Sequence, residues 1–221
     1  AGTLEAAGGS LSLSQISTGA NTTLKLSADT EITSSSNYTF GTVNLSGKKL
    51  TLGGNGGLTL PNTLTMTAGS KIETKTSDLT LSSALQLSTG SITSTGGTLS
   101  FAGGLTVGGT GSMSVLDSIL SVSQNLNFTT TASFESSVLD LQGATTLTSN
   151  GLVSFKKVNL NNKVLTLGSA GTHLKLTDSN ESLSLNNLAL ETGVGSLTLA
   201  GPLSLSNNGQ LNSTAGTITL S

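Results

Sequence analysis

No cysteine, tryptophan or arginine occurs among the 221 residues, and charged side chains make up only 9% of the chain and aromatic ones 3%. Without cysteine there is neither a disulfide framework nor a thiolate metal site, so redox chemistry says nothing about compartment. All nine basic residues are lysine, the formal net charge is −2 and the pI is near 5.2. The only doubled cations, Lys48-Lys49 and Lys156-Lys157, fall short of the basic footprint of a nucleic-acid binder or a polybasic membrane arm. No apolar run approaches the roughly 18 residues of a membrane-spanning helix, so no membrane insertion is expected. The sole histidine, His173, leaves no imidazole pair for a metal and is read as strand or surface packing. No serine lies in a G-x-S-x-G nucleophile elbow. Ala1 opens the chain without a charged or apolar leader, as a processed product or a fragment does.

Serine and threonine fill about a third of the chain instead, with 28 glycines and a hydrophobic fraction of 34%. The apolar residues are mostly Leu, Val and Ile and are evenly spread, which argues for a packed core over disorder. They alternate strictly with polar ones in short triplets such as Leu24-Lys-Leu26, Val43-Asn-Leu45, Leu58-Thr-Leu60, Leu79-Thr-Leu81, Leu99-Ser-Phe101, Leu126-Asn-Phe128 and Leu165-Thr-Leu167. Period-two alternation means short strands with one face buried. Gly, Asn, Ser and Asp between the triplets make corners.

Triplets that are followed by a second one six or seven residues later begin at 43, 58, 79, 99, 120, 139 and 158, in steps of 15, 21, 20, 21, 19 and 19. A repeat near 20 residues with three short strands is the coil of a solenoid. A barrel or sandwich would prefer longer strands and wider turn spacing. The expected fold is all-β: one right-handed parallel β-solenoid over 1–221, about 20 residues and three short strands per coil, with 1–37 less regular. Ten or eleven coils rising about 4.8 Å each give a rod of about 50 Å.

Residues 40–54, FGTVNLSGKKLTLGG, and 155–169, FKKVNLNNKVLTLGS, are nearly the same phrase 115 positions apart. The steps from Val43 to Val158 place them at one corner, six coils apart. If Leu58-Thr-Leu60 instead completes the first phrase's coil, the two phrases face different sides. This phrase resembles the coils of bacterial surface β-solenoids, autotransporter passenger domains and filamentous-haemagglutinin-type exoproteins, from about residue 38 to 221. The resemblance implies a secreted adhesin, toxin or protease carried on a β-helical stalk. Thr217-Ile-Thr-Leu-Ser221 ends in mid-coil, unlike those families, as if the chain continues or subunits stack end to end.

Each residue pattern that suggests chemistry has a plainer reading. Asp178-Ser-Asn-Glu181 offers oxygen ligands for calcium but too few to fill a site, and is read as a solvated turn in a long coil. Gly53-Gly-Asn-Gly-Gly57 and Gly103-Gly104 precede no helix and lack the Gly-Lys-Ser/Thr ending, so they are corners and not phosphate loops. Thr-x-Thr pairs at 63/65/67, 74/76, 93/95, 146/148 and 217/219 would bind ice or a crystalline polysaccharide if stacked on one flat face. Their positions do not keep one register. The Asn doublets 161–162, 186–187 and 207–208 are expected to hydrogen-bond along a corner. The sequons at Asn21, Asn37, Asn44, Asn127, Asn180 and Asn212 are as frequent as chance supplies in so Ser/Thr-rich a chain.

No catalytic, cofactor-binding or metal-ligating residue is assigned, and no cofactor is expected. The expected function is a non-enzymatic extracellular or cell-surface rod: an adhesin stalk, or a filament subunit associating end to end, with a possible glycan or host-surface ligand. The alternative is a module that binds glycan or ice through a flat Ser/Thr-rich face.

Overall fold

A computed structural model describes residues 2–13, 18–130, 132–186 and 189–220. Among them lie 28 strands and no helix. Every strand pairing is parallel, and the strands stack as a β-solenoid of about 10 turns with roughly 21 residues per turn. The chain passes through three faces in fixed order, and a paired residue meets its partner one turn later.

The first face is carried by Gly9–Ser12, Thr30–Ser34, Lys49–Gly54, Lys71–Thr74, Ser91–Ser94 and Ser112–Val115. It continues through the starts of Ala132–Leu141 and Leu152–Asn159, then His173–Leu176, Ser196–Leu199 and Ile218–Leu220. The second face holds the start of Tyr38–Asn44, Leu58–Leu60, Leu79–Leu81, Thr98–Phe101, Ile119–Val122, and the ends of Ala132–Leu141 and Leu152–Asn159. Leu183–Asn186 and Leu203–Ser206 follow on that side. The third face runs from Gly2–Ala6 through Gly19–Leu26, the end of Tyr38–Asn44 and Thr63–Thr65. It resumes with Leu85–Leu87, Leu105–Val107, Leu126–Phe128, Thr145–Ser149, Leu165–Leu167, Ala189–Gly193 and Gln210–Ser213.

The alternating triplets explain this arrangement directly. In Leu58-Thr-Leu60 the two leucines are buried and the threonine between them is half-exposed, and Leu79-Thr-Leu81 repeats this one turn on. Tyr38, Leu58, Leu79, Leu99, Leu120 and Leu139 form one inward column, all buried. A fully buried Leu contributes about 1.5–3 kcal/mol, and each turn adds further buried apolar side chains to one continuous core.

The repeated phrase turns out to sit on different faces. Val43 lies on the third face between Leu24 and Leu64, whereas Val158 lies on the second over Leu139. Leu52 is on the first face and Leu167 on the third. The 15-residue step from 43 to 58 is therefore a change of face, and the steps from 58 to 158 are true turns. What the phrases share is a turn. In both Leu45-Ser-Gly-Lys48 and Leu160-Asn-Asn-Lys163 the fourth N–H donates to the first carbonyl, at 2.8 and 2.7 Å. Both central residues have positive φ in each case: 50° and 80°, then 49° and 59°.

Candidate functional site

The middle residues of the triplets on the second face form an outward column: Thr39, Thr59, Thr80, Ser100, Ser121, Asp140 and Asn159, each registered on the next. All are half-buried. Strand spacing puts successive members about 4.8 Å apart. The hydroxyls of Thr59, Thr80, Ser100 and Ser121 make no side-chain hydrogen bond within the described residues, so they are left to the solvent side.

At the end of this column Asp140 is held by neutral amides. Asn159 Nδ2 and Asn161 Nδ2 donate to Asp140 Oδ1 at 3.1 and 3.0 Å, and Gln142 Nε2 donates to Oδ2. Asn161 Nδ2 also donates to the Leu141 carbonyl at 3.0 Å. The three amide oxygens remain as acceptors, so the group presents a fixed, polar surface that carries the single negative charge of Asp140. Scanning for Thr-x-Thr misses this column; the residue at the centre of each apolar triplet, read at the repeat of about 20, would have found it.

The expected Thr-x-Thr pairs are dispersed. Thr63 and Thr65, like Thr146 and Thr148, lie on the third face, Thr93 and Thr219 on the first, and Thr74 is buried. Asn161, Asn162, Asn207 and Asn208 all have positive φ, but Asn161 bonds to Asp140 and Leu141 of the coil below, not to another doublet. The 186–187 doublet lies outside the residues whose side chains are described. Gly54 and Gly104 turn corners at φ of 88° and 92°. Of the sequons, Asn21, Asn37, Asn180 and Asn212 are exposed, while Asn44 and Asn127 are half-buried in strands.

Asp178 and Glu181 face lysines from the preceding coil. Lys156 Nζ is 3.8 Å from Asp178 Oδ2, and Lys157 Nζ is 3.4 Å from Glu181 Oε1. Asp178 Oδ1 accepts the Asn180 N–H at 2.9 Å. These partners draw the carboxylates toward ammonium groups, and among the described residues no three acidic or imidazole side chains converge as metal ligands do. His173, on the first face between Leu152 and Ser196, hydrogen-bonds through Nε2 to Thr198 Oγ1 at 2.8 Å.

Charge is densest on the first face near one end. Lys75 Nζ reaches Glu31 Oε1 at 2.9 Å across two coils, and Lys49 pairs with Glu73 at 3.5 Å. Gly53 makes the longer reach possible, because a Cβ there would lie 2.8 Å from Glu31 Oε1. The hydrogen bond and charge of Glu31 hold the Lys75 pKa above the ordinary lysine value. Inside the core, burial pushes the Tyr38 phenol pKa up, and its hydroxyl has no partner among the described residues.

No family model matches the chain, and no curated protein or solved structure is significantly similar to it.

Proposed function

We propose that the chain is a structural rod displayed outside the cell, serving as an adhesin stalk or as a filament subunit that stacks end to end. The resemblance of the repeated phrase to autotransporter passenger domains and filamentous-haemagglutinin-type exoproteins, which are carried on β-helical stalks, supports the stalk reading. One observation carries the reading. The first face is a single parallel ladder from Gly9–Ser12 to Ile218–Leu220, so the axis is stiffened by main-chain hydrogen bonds at every turn. Ten steps of about 4.8 Å give an axis of about 48 Å. Negative-stain electron microscopy across a concentration series tests it. Fibres of single-solenoid width support a filament subunit; compact single particles at the highest concentration overturn self-assembly and leave the stalk.

The column of free hydroxyls ending at Asp140 favours a second reading, a glycan- or ice-binding face. Retention on insoluble polysaccharide, or partition into growing ice, that is lost in Thr80→Lys/Ser100→Lys would support it. No difference between wild type and the variant would end it.

A further inference from the structure

On the second face the ladder runs unbroken from Tyr38 to Asn159 and then stops. Among the described residues the next strand on that side, Leu183–Asn186, pairs only with Leu203–Ser206 above it. Across the same junction the first face continues through Phe155↔Leu176 and the third through Leu165↔Leu190. The interruption is confined to one face, and its cause is legible in corner lengths. Val158 follows Phe155 by three residues, whereas Leu183 follows the registered Leu176 by seven. The four extra residues of the upper corner are not matched below, and the strands beyond the two corners are not paired with each other.

The extra residues of the wide corner cross the gap. Thr177 and Asp178 donate backbone N–H groups to Phe155 O and Lys156 O at 2.9 and 3.1 Å. Beyond them, ion pairs take over: Lys156 with Asp178 and Lys157 with Glu181. Behind them lies a cavity of about 60 Å³, walled in part by Val158, Leu176, Leu183 and Leu199. Hydrogen bonds that are insensitive to salt have been replaced by pairs that salt screens.

A second interruption provides the contrast. On the third face Thr63–Thr65 and Leu85–Leu87 are also unpaired with each other. There the neighbouring contacts are neutral: Ser82 N–H to Leu60 O at 3.0 Å and Ser83 Oγ to Pro61 O at 2.9 Å.

We propose that residues 177–182 form a strap, latched by Lys156 and Lys157, over a seam in the second face, and that the rod opens along this seam when the latch is released. The strap makes the stiffness of the rod responsive to ionic strength at one junction. This inference does not depend on what the rod carries.

Hydrogen exchange on the full chain tests it. Amides of Leu183–Asn186 should exchange several-fold faster than those of His173–Leu176 and Ser196–Leu199 in the same coils. Fraying from a chain end would loosen all strands of a coil together and would not single out this face. Raising salt from about 10 mM to about 1 M should speed exchange at Leu183–Asn186 by about three- to tenfold, two partly exposed ion pairs being at stake, and leave the neutral seam unchanged. Lys156→Ala/Lys157→Ala should show the faster exchange at low salt and no further salt response. Equal protection on the three faces, an equal salt response at both seams, or a salt response that survives in the double variant would each overturn the proposal. If the double variant does not fold, the comparison of the two seams in the wild type decides alone.

Discussion

Phe155 stands at the most densely aromatic point of the core. Its ring stacks on Phe134 with centroids 4.8 Å apart and planes 14° apart, and Phe134 meets Phe128 at 5.2 Å. All three are fully buried. Phe155→Ala should cost about 3–5 kcal/mol, read as a drop in the urea midpoint with no change of slope. Tyr38 tests burial in another way, since it is the only tyrosine and there is no tryptophan. Its pKa is raised in the folded chain, so its contribution to stability is complete below the ordinary tyrosine value and is lost as pH rises from there toward the folded value. Phenolate absorbance should therefore appear together with unfolding and not before it; phenolate forming in a still-folded chain would contradict the buried placement. Lys75 carries the same sign by a different cause. The Glu31 pair stabilises below the ordinary lysine pKa, and the contribution is lost as pH rises through the raised one. The gap in thermal midpoint between wild type and Lys75→Met should close over that window.

Corners decide the fate of each element. Asn162 sits at φ 59°, where a side chain other than Asn, Asp or Gly costs about 1–2 kcal/mol. Asn162→Val should lower stability by that amount, while Asn162→Gly should be near neutral; chemical denaturation of both variants gives the comparison, and equal losses would show that the side chain and not the backbone matters. The first-to-second corner carries a buried hydroxyl seam that strand patterns do not reveal. Ser94 and Ser118 Oγ atoms are 2.9 Å apart, Ser137 Oγ donates to Val115 O at 2.8 Å, and Ser77 Oγ to Gly54 O at 3.0 Å. These bonds tie successive coils where the chain bends away from the ladder, and they satisfy polar groups that would otherwise be buried without partners.

At the scale of the molecule, exposed surface is 9489 Å², about what a compact protein of 21.9 kDa shows, roughly 9,300 Å². One chain is thus only modestly elongated, and rod character lies in the repeat of the axis. Strand pairing joins each coil only to its neighbours, and contacts that skip a coil, such as Lys75 with Glu31, are few, so stability is close to a sum of coils and junctions. Leu120→Ala, in a fully buried mid-rod position, should cost about 2–5 kcal/mol locally. Hydrogen exchange should show the loss graded along the axis, greatest in the coils that contain Leu99 and Leu139. A uniform loss over all coils would mean that the solenoid unfolds as one unit.

The period-two triplets and their spacing of about 20 residues determined the strands, the parallel stacking and the inward columns, because a short strand must bury every second residue and a solenoid repeats that need at each turn. Leu58, Leu79, Leu99, Leu120 and Leu139 could be aligned from the chain alone and are registered in space. Tertiary structure alone decided which face each corner serves. The phrase at 40–54 and that at 155–169 encode the same left-handed turn, and a turn of that kind fits any corner of a three-sided coil. It also decided which hydroxyls are spent and which are free. Ser100, at the centre of the triplet Leu99-Ser-Phe101, stands outward on a strand, whereas Ser118, between Asp117 and Ile119, is buried at a corner, bonded to Leu116 O and Ser94. The triplet marks Ser100 as outward, but the burial and bonding of Ser118 depend on Ser94 in the neighbouring coil, which no local pattern records.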